Sequence, residues 1–183
     1  MILFFIPYGI VNHLPIERYV VPFVFGENHI PFLPWTFIIY VSAFVQAFFI
    51  IRFIPKHFLP RIIALALCML SVGILFFILF PIEYPRALYP TDNTLITFFR
   101  TIDTPGNCFP SLHVSLAILL AALYIFLETR TIRKIFMCIW TLLIICSVLT
   151  TKQHHVIDII GGALLAIPFV FMLRKNLLKE ELT

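Results

Sequence analysis

Charge is what this sequence most lacks. Only 12% of its 183 residues are Asp, Glu, Lys or Arg, where a soluble domain carries about 25%. Paired cysteines are missing too. Cys68, Cys108, Cys138 and Cys146 follow no disulfide or metal-type spacing, and three of them sit in apolar runs, where cysteine behaves as a small hydrophobe. The chain has no His-Glu-x-x-His, no internal repeat and no soluble domain. No basic residue precedes the first apolar run, so a secretory signal peptide is not expected. The formal net charge of +4 does not point to nucleic acid, because the basic residues cluster at the ends of apolar runs.

Apolar residues fill the space that charge leaves. They make up 61% of the chain, with 21 phenylalanines and a mean hydropathy of +1.04. A bilayer core takes about 20 such residues per helix. Five runs qualify: 35–51, 62–80, 112–127, 135–149 and 156–173. Residues 1–25 are interrupted by His13, Pro15, Glu17 and Arg18, and read either as a sixth, irregular span or as an interfacial helix. The expectation is one all-α integral membrane domain over 1–183, a bundle of five to six transmembrane helices.

Three basic clusters set the orientation: Arg52, Lys56 and Arg61; Arg130, Arg133 and Lys134; Arg174, Lys175 and Lys179. Five spans after Pro34 put all three on one side, which the positive-inside rule makes cytoplasmic. The other face then holds 13–34, 81–110 and 150–155.

Two segments begin on that face and carry polar chemistry. One is Cys108-Phe109-Pro110-Ser111-Leu112-His113-Val114-Ser115. The other is Ser147-Val148-Leu149-Thr150-Thr151-Lys152-Gln153-His154-His155-Val156-Ile157-Asp158. Ionisable groups at a membrane boundary are costly and mark function. His154 and Asp158 are four apart, which on a helix would put imidazole and carboxylate on one face. A carboxylate fixes the imidazole tautomer and leaves the other ring nitrogen a better nucleophile or base.

These segments resemble the type 2 phosphatidic acid phosphatase (PAP2) superfamily. Pro110-Ser111-Leu112-His113 is similar to its Pro-Ser-Gly-His motif, with Leu112 for glycine. Ser147, His154 and Asp158 are spaced as in its Ser-Arg-five residues-His-three residues-Asp motif. Phe-Pro-Ser-Leu-His and Lys-Gln-His-His-Val-Ile-Asp resemble in particular the branch containing inositol phosphorylceramide synthases. The resemblance covers roughly residues 30 to 175 and places the catalytic motifs within 81–162.

The resemblance implies a mechanism. His154 attacks phosphorus and forms a phosphohistidine, Asp158 orients it, and His113 protonates the leaving oxygen. Ser111 and backbone N–H groups from Leu112 onward cradle the phosphate, as a helix N-terminus can. Arg86 matches the arginine of the first motif, but Leu79 stands where that motif has lysine. Val148 replaces the third-motif arginine, and Lys152 is the cation at hand to replace its charge. Ser147 is a further phosphate-side candidate.

Each assignment has a structural rival. His113 can cap a helix, and His154 with Asp158 can be a hydrogen-bonded pair. Arg86 can be a headgroup anchor, Lys152 can snorkel, and Ser147 can bond its own backbone. His155 reads as an interfacial neighbour, Arg100 and Asp103 as surface residues, and Gly161-Gly162 as a close helix contact. His154, Asp158 and His113 have metal-ligand character, yet with no second carboxylate nearby no metal is expected, and no cofactor either.

The expected function is a membrane-embedded lipid phosphatase acting on a lipid phosphate monoester or diphosphate, its active site on the non-cytoplasmic face. The alternative is a phosphotransferase using the same residues to pass a phospho-headgroup to an alcohol acceptor. A non-catalytic lipid-binding protein is the third reading.

Overall fold

The computed structural model describes residues 2–24 and 26–180. Seven α-helices follow in order: α1 Ile2–Asn12, α2 Phe37–Phe53, α3 Leu59–Leu79, α4 Thr94–Ile102, α5 Leu112–Leu127, α6 Thr131–Thr150 and α7 Val156–Glu180. Four of the five expected spans are helices long and apolar enough to cross a membrane: Pro34–Phe53, Leu59–Leu79, Thr131–Thr150 and Val156–Leu177.

The fifth, α5, is 16 residues long, about 24 Å at the α-helical rise. It is apolar all round, as a helix enclosed by others should be. Val114, Ala117, Leu119, Leu120, Ala121 and Leu123 are all buried, and α5 contacts α2, α3, α6 and α7. It is the axis of the bundle. The helices around it turn apolar side chains outward. On α6 these are Ile132, Ile135, Phe136, Ile139, Leu142 and Leu143, the surface that lipid covers.

Among the described residues of 1–25 no helix is long enough to cross a membrane. Their helix, α1, has 11 residues, about 16 Å, against a hydrocarbon core of about 30 Å. It ends at Asn12, packs on α3 and sets Tyr8 edge-on to Phe77. The chain then runs irregularly. Tyr19–Val20 (β1) pairs in parallel with Ile82–Glu83 (β2), joining the N-terminal segment to the loop after α3.

The connections sort by size. At one end of the bundle they are short, and the basic clusters lie there. At the other end lie 13–36, the loop 80–111 with α4 inside it, and the turn 151–155. Both polar motifs sit at this second end, as the alternation of spans requires.

Candidate active site

The two motifs meet because α5 and α7 start side by side. Ser111 N–H donates to Asp158 O at 2.9 Å, and Ser115 Oγ donates to Gly162 O at 2.9 Å. A Cβ on Gly162 would lie 2.5 Å from Ser111 O, and one on Gly161 would lie 2.5 Å from the Phe109 ring. The paired glycines therefore let the two helices approach closely. Ser111 itself is fully buried with a β-region backbone at the α5 N-cap, and its Oγ has no partner among the described residues. The Phe109–Pro110 peptide is cis. Leu112, at the first position of α5, packs against Gly73 of α3.

The turn between α6 and α7 carries the second histidine. α6 closes with Lys152 N–H on Leu149 O at 3.1 Å and Gln153 N–H on Val148 O at 3.2 Å, the paired bonds of a Schellman end. Glycine usually takes the left-handed position there. Here Lys152 takes it, with φ 55°. Its chain is buried, and Nζ donates to Ile30 O at 2.7 Å and Glu27 O at 3.5 Å, 4.8 Å from the Tyr89 ring centroid. Burial pulls the Lys152 pKa down, with Glu27 opposing. Two carbonyls thus hold the ammonium that the sequence assigned to phosphate. Ser147 is likewise occupied, its Oγ donating to Ile144 O at 2.6 Å.

His154 and Asp158 come together, but not on one helix face. α7 starts at Val156, so His154 precedes the helix and Asp158 lies in its first turn. Asp158 Oδ2 accepts the His155 N–H at 2.8 Å, the back-bond of a capping box. The same oxygen faces His154 Nδ1 at 3.4 Å. That contact does not meet hydrogen-bond geometry, and His154 Nδ1 and Asp158 Oδ1 both lack partners among the described residues. Catalytic hydrogen bonds in ligand-free sites are often this long and tighten with substrate.

His155 is not an interfacial neighbour. It is fully buried, its ring 4.6 Å from Tyr84 and 5.6 Å from Phe23. Its Nδ1 meets Glu27 Oε1 at 3.0 Å, while Glu27 Oε2 accepts Val156 N–H at 3.2 Å. Leu33 N–H on Thr150 O at 2.8 Å and Thr36 Oγ1 on Thr150 Oγ1 at 2.8 Å extend the clamp. Residues 27–36 therefore hold the whole turn 150–156 in place.

His113 projects from the first turn of α5 toward α2. Its ring stacks on Tyr40 at 4.2 Å and 5°, and its Nε2 lies 3.1 Å from Tyr40 O. Only an N–H can face a carbonyl oxygen, so Nε2 carries the proton and Nδ1 is the free atom. The two imidazoles, His113 and His154, are within electrostatic reach of each other.

Arg86 is buried at the mouth of the same region. Its Nη2 pairs with Asp103 Oδ2 at 3.2 Å, while Asp103 Oδ1 accepts from Tyr8 Oη at 2.7 Å and Asn12 Nδ2 at 3.1 Å. Asp103 is thus the anchor of Arg86 and α1 rather than a surface residue.

Cys108 is the unexpected member. Ligand atoms of Cys108, His154 and Asp158 lie within 4.8 Å of one another. The sulfur, however, donates to Pro105 O at 3.0 Å, and burial pushes its thiol pKa well up. The sequence reading missed Glu27, Tyr40 and Cys108. Only Cys108, two residues before Pro110, stood close enough to a motif to be found.

A sequence model of the PAP2 superfamily matches residues 13–171. No curated protein and no solved structure matches the chain.

Proposed function

The chain belongs to the PAP2 superfamily, and from that membership we propose that it is a membrane lipid phosphatase working through a phosphohistidine. At the coarser level, it is a multi-pass helical membrane protein of a phosphatase and phosphotransferase superfamily. The observation that carries the finer reading is the meeting of His154, Asp158 and His113 at one end of the bundle.

In this reading His154 Nε2 attacks phosphorus, since Nδ1 faces Asp158. Asp158 holds the tautomer and stabilises the charge that builds on the ring. His113, carrying a second proton on Nδ1 as an imidazolium, delivers that proton to the leaving alkoxide while Nε2–H stays on the Tyr40 carbonyl, and Nδ1 takes a proton back from the water that attacks next. Ser111 Oγ and the first N–H groups of α5 receive the phosphoryl oxygens, with Arg86 Nε, unpartnered among the described residues, as a further donor. Lys152 and Ser147 act indirectly, by shaping the turn and the end of α6. Water then attacks the phosphohistidine and frees the histidine. The positive-inside count supports a non-cytoplasmic active site.

An alcohol attacking in place of water would make the same site a phosphotransferase. The test is phosphate release by purified protein in detergent, from phosphatidic acid and prenyl phosphates, with and without an alcohol acceptor. Release should persist in excess EDTA, fall with vanadate, and vanish in His154→Ala and His113→Ala. Transfer to the acceptor without free phosphate would replace hydrolysis by transfer. Neither activity, from folded protein, would overturn both.

A further inference from the structure

Eight buried side-chain polar atoms lack a hydrogen-bond partner among the described residues. One, Gln46 Oε1, lies within the bundle. The other seven are at the loop end: Tyr84 Oη, Arg86 Nε, Arg100 Nε and Nη2, Ser111 Oγ, His154 Nδ1 and Asp158 Oδ1. Buried orphans bear their full desolvation penalty, and such a concentration marks a place shaped for something else. Two of the seven belong to Arg100, which the sequence reading left on the surface.

Arg100 lies on α4, a short amphipathic helix. One side of α4 turns inward, with Ile96 fully buried and Phe99 packed edge-on to Phe37. The other side exposes Leu95, Phe98 and Ile102. Arg100 belongs to the inward side. Its Nη1 donates to Tyr89 O at 2.9 Å, and its guanidinium lies 5.9 Å from the Phe32 ring centroid. Tyr89 also carries the Lys152 ammonium over its ring, so Arg100 stands one residue away from the turn that bears His154.

Its electrostatic setting is unusual. Arg86 has Asp103 for a counter-ion, whereas no carboxylate pairs with Arg100 among the described residues. Burial and the neighbouring Arg86 charge both lower the Arg100 pKa. Nε and Nη2 form the side edge of the guanidinium, the edge that meets two oxygens of a carboxylate or phosphate at once. The third nitrogen, already bound to Tyr89 O, fixes the direction of that edge.

We propose that Arg100 is a phosphate-binding residue, its Nε–Nη2 edge taking two oxygens of the substrate's phosphate while the apolar side of α4 rests on the lipid surface. The assignment rests on the phosphatase reading above. It supplies from α4 a guanidinium that position 148, a buried valine, does not offer. The ligand chemistry is a phosphate ester with free anionic oxygens, whether on a lipid or on a soluble alcohol.

The test compares wild type, Arg100→Gln and Arg100→Lys in detergent. Two readouts are needed: the rise in thermal midpoint caused by inorganic phosphate, and KM and kcat on dioctanoyl phosphatidic acid and on p-nitrophenyl phosphate. Phosphate should raise the wild-type midpoint, and Arg100→Gln should abolish most of that rise. KM should increase about tenfold to a hundredfold on both substrates, the scale of a lost charge-assisted pair, with kcat changed much less. Arg100→Lys should recover part of the loss. An intact phosphate response with unchanged KM would overturn the proposal. A loss confined to the lipid substrate would overturn it in favour of a purely interfacial role for α4. If wild type turns over neither substrate, the phosphatase reading fails, and the phosphate-induced shift alone still decides Arg100.

Discussion

Asp158 divides its carboxylate between backbone and side chain. Oδ2 caps α7 through His155 N–H at 2.8 Å and faces His154 Nδ1 at 3.4 Å. Asparagine can keep the first contact through its carbonyl oxygen but not the charge that the second needs. Asp158→Asn should therefore fold, with its thermal midpoint within a few degrees of wild type, and lose about 10²- to 10⁴-fold in kcat. Single-turnover phosphate release measures this, and a kcat within tenfold of wild type would remove Asp158 from the mechanism. The pair itself was legible because both residues lie within one short segment. Its geometry was not, because the helix starts two residues after His154 and converts an expected face-to-face pair into a capping arrangement. Glu27 was illegible for a different reason. It is 128 residues from the histidine it holds, in a segment whose interruptions hid any role.

Helices placed the site, and their closeness is set by two glycines. Alanine in place of helical glycine gains about 1 kcal/mol of propensity, while forcing a methyl into a packed contact costs about 1–3 kcal/mol. At Gly162 the obstacle is the Ser111 carbonyl, 2.5 Å away, and backbone cannot swing aside. At Gly161 it is the edge of the Phe109 ring, which can. Gly162→Ala should lower the thermal midpoint and cut kcat more than tenfold, with Gly161→Ala milder in both. Equal effects would mean that the α5–α7 spacing does not govern the site. The four helices of spanning length and the shorter α5 were readable from hydropathy alone, since a helix satisfies every backbone polar group within the lipid. α1 and α4 were not. Eleven and nine residues fall below any spanning length, and their placement depends on contacts with α3 and with the loop around Tyr89.

The molecule as a whole has a polar end, where both histidine motifs lie, and a basic end with short connections. At the basic end, Glu128 links α5 and α6. It accepts N–H bonds from Arg130 and Thr129, both at 2.9 Å, and contacts with Arg133 and Tyr124. The Arg130 N–H leads these in holding its pKa down to about 2, below an unfolded value of about 4.3. A depressed carboxylate contributes stability that is complete above the unfolded pKa and is lost as pH falls toward the folded one. Thermal midpoints in detergent should thus drop between about pH 4.3 and pH 2, and Glu128→Gln should flatten that drop. Equal acid sensitivity in the variant would place the titrating groups elsewhere. The sidedness of the spans is an expectation from nine basic side chains, whereas the joining of both ends of the chain at one site was not legible in the sequence. That joining has a consequence for biosynthesis. At about 5–20 residues per second, Glu27 leaves the ribosome roughly 6–26 s before His155 does. Until then there is no turn for residues 27–36 to hold, so a nascent chain stalled before the last hairpin has not yet brought its two histidine motifs together.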